Sequence, residues 1–271
     1  MASLRPLQLS LVFCLLLASF VLVQPSYAAK IDDLQVTASL APNGQLQVSE
    51  TIVYNFEDAK VATVDLFIPT RYSYQDHDFF LAIDKLSVLD SKGKALNFKA
   101  STETDHLSLE LSDEQRFFSG LVTFRLNYLA SGLINYGLDQ DLFYWNFTGS
   151  SWPIKIKRSQ VTINLAKKVV VDSDQLQCFY GPPAKNLKCR AKLIDDQLET
   201  ASFVFENPFE LFVGESSSVT FNLPKGLIEE PNWLDLAKSF FLRNIKLSLS
   251  VTAVTLVLLF WLSSRRRPAE F

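Results

Sequence analysis

The chain is poor in the residues on which most catalytic and metal chemistry depends. Its 271 residues include one Met, two His and three Cys. That leaves little for a metal cluster or a His-based catalyst. Glycine (9) and proline (11) are too scarce for a collagen-like or low-complexity chain. Excess charge of either sign is also lacking, at −3 net. No GxSxG, HExxH, Walker or GxGxxG motif occurs. What is present is apolar and aromatic. The chain is 48% hydrophobic, with 22 Phe and 8 Tyr, which excludes disorder and suits pleated surfaces.

Both ends carry membrane signals. Arg5 precedes an uncharged run over residues 11–23. As a helix it would measure about 20 Å, short of the roughly 30 Å bilayer core. Ser26 and Ala28 put small residues at −3 and −1 of a cleavage after Ala28, so residues 1–28 read as a secretory signal peptide. Residues 247–262 are also uncharged and, with their flanks, long enough to span. Arg265, Arg266 and Arg267 follow and hold the tail on the cytoplasmic side. The expected organisation is a signal peptide (1–28), an extracytoplasmic β domain (29–226), a juxtamembrane helix (227–246), a transmembrane helix (247–264) and a cytoplasmic tail (265–271). This is a single-pass, type I arrangement in the cell membrane.

The chain's −3 comprises +1 for residues 1–28, +2 for residues 247–271 and therefore −6 for residues 29–246. A mildly acidic exported part argues against nucleic acid as a partner and against tight adhesion to anionic headgroups. Cys14 leaves with the signal peptide. Cys178 and Cys189 remain, separated by Gly181-Pro182-Pro183 and Asn186, residues that turn a chain back on itself. In an oxidising compartment this pair reads as a disulfide, the alternative being two buried thiols.

Between Lys30 and Lys225 the apolar period is two. In residues 45–56, Leu46, Val48, Ile52, Tyr54 and Phe56 share one face. Asn43-Gly44 before them predicts a hairpin with residues 31–40. Apolar alternation recurs through residues 107–111, 122–128, 161–165, 203–205 and 219–223, with short strands also expected at 169–171. The phase changes near residues 158–160, which suggests a bulge. About eleven short strands with one apolar face each predict an all-β, two-sheet antiparallel sandwich. A split near Leu165 into two smaller sandwiches is the alternative. Trp233, Leu236, Phe240 and Phe241 recur at helical spacing before the span.

Few residues suggest chemistry. Glu50 has the parity of Val48 and Ile52, which points it at the core, so it needs a partner; Arg71 and Arg158 are candidates for a buried ion pair. Glu50 with Asp76 or Asp78 is the one carboxylate set from which a hydrolase could be built. Asp76-His77-Asp78 and Asp105-His106 are weak material for a metal site, and neither metal nor cofactor is expected. Residues 142–153 (LFYWNFTGSSWP) are the most individual stretch. Tyr144, Trp145, Asn146 and Trp152 read either as an aromatic platform for a glycan or peptide, or as a strand–turn–strand whose tryptophans close the core; the second is preferred.

These stretches together, with Glu50 and Tyr54, Pro69 and Arg71, Tyr128, and Tyr144, Trp145, Asn146, Gly149 and Trp152, resemble the N-terminal domain of the predicted bacterial membrane proteins called domain of unknown function 2207. The resemblance implies a β domain in a bacterial envelope and no particular activity. The expected role is non-enzymatic. An anchored domain would bind or scaffold an envelope protein or glycan beside the lipid bilayer. The alternatives are the carboxylate hydrolase and a complex assembled through Ser248, Ser250, Thr252 and Thr255 of the span.

Overall fold

A computed structural model describes residues 29–112, 117–165, 175–182, 185, 187–194 and 201–232. The expected signal peptide, transmembrane helix, basic tail and the strand at 169–171 lie outside the described residues. All regular structure within them is β. The strands are β1 (Lys30–Leu40), β2 (Leu46–Asn55), β3 (Thr63–Pro69), β4 (Arg71–Tyr74), β5 (His77–Phe80) and β6 (Ala82–Leu89). Then come β7 (Phe98–Thr102), β8 (His106–Ser112), β9 (Leu121–Ser131), β10 (Ile134–Tyr136), β11 (Gln140–Asn146) and β12 (Ser159–Leu165). The last are β13 (Gln177–Gly181), β14 (Leu187–Lys188), β15 (Arg190–Ile194), β16 (Ala201–Asn207) and β17 (Ser216–Pro224).

They form a seven-stranded sheet (β15-β16-β12-β1-β2-β9-β6), a five-stranded sheet (β10-β11-β17-β13-β14), a three-stranded sheet (β3-β8-β7) and the hairpin β4-β5. The expectation of two antiparallel sheets with about eleven strands is thereby corrected. Among the described residues seventeen strands lie in four sheets, and β1 pairs with β12 in parallel. Strands as short as β4, β5, β10 and β14 give period two no room to show.

The Asn43-Gly44 turn joins β1 to β2 as expected, with Gly44 at φ 75 and the Ala41 carbonyl accepting from its amide at 3.0 Å. Leu46, Val48, Ile52 and Tyr54 are buried on one face of β2. The phase change near residue 158 is shared by two strands. Ile31 pairs with Ile156 and Leu34 with Ser159, so β1 and the chain entering β12 cross the irregularity together, where β1 also breaks register with β2. The sheets share one core. Phe203 and Phe205 of the seven-stranded sheet meet Phe221 of the five-stranded sheet at 5.0 and 6.2 Å, and the Tyr54 hydroxyl donates to the Asp65 carbonyl of the three-stranded sheet at 3.3 Å. Each buried Phe contributes about 2–3 kcal/mol of transfer free energy.

Cys178 and Cys189 are bonded, with Cα atoms 5.0 Å apart, beside the β13–β14 turn. After β17 the described chain continues to residue 232. Residues 227–232, the described start of the expected juxtamembrane helix (227–246), are not helical, and its residues 233–246 lie outside the described residues. Ile228 is buried instead, and the Glu229 amide donates to the Pro42 carbonyl at 2.7 Å, which holds this stretch against the β1–β2 turn. At the same end Lys225 pairs with the fully buried Asp141 at 2.8 Å.

Candidate functional site: a tyrosine-walled cleft

The Asp76-His77-Asp78 stretch closes a hairpin. Residues 71–74 alternate outward Arg71 and Ser73 with inward Tyr72 and Tyr74. Gln75 and Asp76 turn the chain at φ 46 and 63, the positive pair that a tight hairpin requires. The Leu81 amide donates to the Thr70 carbonyl at 2.8 Å and closes the hairpin base. The inward rings lie on the five-stranded sheet. Tyr74 stacks on Tyr144 of β11 at 4.2 Å and 10°, Tyr72 meets Tyr144 edge-on at 5.5 Å, and Phe179 of β13 lies 6.4 Å from Tyr74.

A cleft of about 460 Å³ opens between this hairpin and the sheet. Its rings are Tyr72, Tyr74, Tyr144, Phe179 and Tyr180. Its charged groups are Arg71, Lys185 and Asp105, and its neutral polar groups include Asn146 and the serines 73, 150, 151, 216 and 218. The volume lies in the range of small-ligand sites. Burial pushes the Tyr72, Tyr74 and Tyr144 phenols above their ordinary range, so all three remain protonated donors at neutral pH. The Tyr72 hydroxyl is buried without a partner of full hydrogen-bond geometry, and the Asn146 backbone only partly offsets that burial. Asp105 anchors the other rim. Its carbonyl accepts from the Thr70 and Arg71 amides at 2.9 and 3.1 Å, and its carboxylate meets His106 Nδ1 at 2.7 Å and Ser151 Oγ at 3.4 Å.

The turn after β11 builds the cleft's end. Asn146 Oδ1 accepts from the Gly149 amide at 3.0 Å, and Gly149 adopts φ 70. A Cβ there would lie 3.3 Å from Pro69. Thr148 Oγ1 accepts from the Ser217 amide at 2.7 Å, and Trp152 Nε1 donates to the Thr148 carbonyl at 2.7 Å. The four residues of the aromatic stretch therefore divide. Tyr144 and Asn146 line the cleft. Trp145 and Trp152 are core side chains, 1% and 3% exposed, Trp152 packing on Phe67 at 5.2 Å.

Glu50 is buried as its parity requires, but the expected ion pair with Arg71 or Arg158 is corrected. Its recorded partner is the Tyr128 hydroxyl, which donates to Oε1. Arg71 lies over the Phe80 ring at 4.9 Å, and Arg158 Nε faces Asp33 at 3.8 Å. Burial raises the Glu50 carboxyl to about 7, with the Tyr128 hydrogen bond acting the other way. Asp76 and Asp78 line a separate small cavity with His77, Gly132, Ile134 and Asn135, into which Glu50 does not reach. The carboxylates proposed for a hydrolase thus do not meet in one cleft. Among the described residues no group of three or more His, Cys, Asp or Glu is placed to hold a metal ion.

Sequence reasoning missed Tyr72, Tyr74, Phe179 and Lys185 as members of one site. The alternation of Tyr72 and Tyr74 is legible, but the Gln75-Asp76 turn lacks the glycine that announces a hairpin.

An all-β domain carrying a polar, ring-walled cleft is the class that fold and site define. The chain belongs to the DUF2207 family of predicted membrane proteins, whose N-terminal domain matches residues 30–207. It is 21% identical over 187 residues to the uncharacterized protein YciQ of Escherichia coli (strain K12), a match covering 68% of this chain and 30% of that protein. Among solved structures it is similar to an M1 zinc metallopeptidase from Deinococcus radiodurans (10% identity, TM-score 0.40, 72% of this chain and 42% of that one). It is also similar to leukotriene A4 hydrolase from Saccharomyces cerevisiae (10% identity, TM-score 0.42, 74% and 30%). Likeness this distant carries no chemistry to this chain.

Proposed function

We propose that this protein is a single-pass envelope protein whose extracytoplasmic β domain binds a glycan in the tyrosine-walled cleft, acting by binding and not by catalysis. The observation that carries the reading is the cleft itself. Its half-buried rings Tyr72, Tyr74 and Phe179 supply apolar surface for sugar C–H groups, and its serines and Asn146 are placed to exchange hydrogen bonds with hydroxyls. The Cys178–Cys189 bond supports an oxidising, extracytoplasmic setting. Membership of a predicted membrane family supports the anchor.

The test places a photo-crosslinking residue at Ser73, on the cleft rim, and separately at Lys99 on β7, in the full chain in native membranes. A glycan adduct by mass spectrometry at position 73 and not at 99 is the expected result. Equal labelling at both positions, or none at 73, removes the proposal. Protease added to intact spheroplasts should degrade the domain; protection until lysis would reverse the orientation.

A further inference from the structure

Resting on that reading, we propose that the ligand is acidic: a short saccharide bearing a carboxylate, whose acid group Arg71 and Lys185 receive at the mouth of the cleft. Several lysines outside the cleft are already engaged. Lys30, Lys155, Lys157 and Lys225 pair with Glu57, Glu210, Asp32 and Asp141. Among the described residues neither Arg71 nor Lys185 forms an ion pair, and both line the cleft. Asp105 is the single carboxylate of the lining, and its oxygens already meet His106 and Ser151. The spare charge facing the cleft is therefore positive. The Arg71 amide donates to the Asp105 carbonyl, and its planar guanidinium fork rests over Phe80, which neighbours the cleft without lining it. That fork matches a carboxylate in two parallel hydrogen bonds.

The surroundings select the size of the ligand. Residues 29–246 carry −6 in total, the sum left after +1 before them and +2 after them. A long polyanion would be repelled by that field, whereas a short one engages two local cations and escapes most of it. Both cations are exposed, so binding of the acidic form should weaken as salt is raised.

The experiment uses the full chain in detergent micelles against an array of oligosaccharides containing uronic or muramic acids. Each is paired with its carboxyl-reduced form, and short peptides with free C-terminal carboxylates are included. The expected result is binding of an acidic saccharide, weakened roughly tenfold or more by carboxyl reduction. Arg71→Gln should weaken the acidic form by a similar factor, leave the reduced form unchanged and keep the wild-type melting temperature. If acidic and reduced forms bind equally, or Arg71→Gln spares the preference, the acidic assignment falls. The cleft reading survives that outcome provided Tyr74→Ala still abolishes binding. If only peptides bind, the saccharide is overturned; if nothing binds, both proposals fall.

Discussion

Replacing Glu50 should make the protein more stable at alkaline pH and leave it unchanged at acid pH. Glu50 sits on β2, 2% exposed, with the Tyr128 hydroxyl as its recorded partner. Burial without a cation raises its carboxyl from 4.5 to about 7. The folded state therefore binds this proton more tightly than the unfolded chain. Stability from the protonated carboxyl is fully present below about 4.5, declines as the pH rises and is lost once it passes about 7. The difference between those two values corresponds to about 3 kcal/mol, a sizeable share of the roughly 5–15 kcal/mol by which domains are stable.

Glu50→Gln keeps the shape and an acceptor for Tyr128 but cannot ionise. Urea unfolding of the full chain in detergent, followed by tryptophan fluorescence, should show the two proteins within about 1 kcal/mol at pH 5. At pH 8.5 the variant should be more stable by about 3 kcal/mol. Tyr128→Phe removes the one group that favours the carboxylate, so the decline should move to higher pH. If the difference between wild type and Glu50→Gln is flat from pH 5 to 8.5, or grows toward acid, the reasoning about Glu50 is wrong.

Three further outcomes are expected. Gly149→Ala should lower stability by about 1–2 kcal/mol in thermal melts, because alanine disfavours the left-handed backbone and its methyl would press on Pro69 at 3.3 Å; an unchanged melting temperature would contradict this. Reducing the Cys178–Cys189 bond, or replacing both residues with serine, should cost roughly 3 kcal/mol through the freed loop, read by urea midpoint with and without reductant. Gln75→Asn with Asp76→Gly should raise the melting temperature slightly, by up to about 1 kcal/mol of stability, since both positions already hold positive φ; a loss would mean that the present side chains support the hairpin.

The sequence signals that proved informative were those with a long enough run to repeat. Ten residues of β2 show period two plainly, and the direction of Glu50 follows from them. The partner of Glu50 does not, because Tyr128 arrives on β9, and the pairing of β2 with β9 spans more than seventy residues of chain. Charge alone points to Arg71. Burial near a phenol, however, needs no cation when the carboxyl can keep its proton. The parallel pairing of β1 with β12 was equally hidden, since it depends on where the chain returns after ten intervening strands. Size and turn chemistry place the tryptophans in the core, where Trp145 and Trp152 are both buried. Tyr144 belongs to the same strand but meets the β4–β5 hairpin, so its neighbours turn it from core filler into cleft wall.

The register of β11 on β17 fixes where that wall stands relative to the chain's exit. Gln140 pairs with Pro224, beside the Asp141–Lys225 bridge and the Glu229–Pro42 bond, where the described chain departs. Asn146 pairs with Ser218 at the other end of the same two strands, and both line the cleft. Six residue steps of antiparallel strand separate the ends by about 20 Å. The cleft and the end of the described chain at residue 232 thus lie at opposite ends of the β11–β17 ladder. Whatever fills the cleft approaches from the end away from residue 232, and a ligand bound there leaves the exit contacts at Ile228 and Glu229 untouched. Mutations at the two ends should accordingly act independently: Lys225→Ala should lower stability without altering ligand affinity, and Arg71→Gln the reverse. Coupling between them in a double-mutant cycle would mean that the ladder bends between its ends, and the separation argued here would not hold.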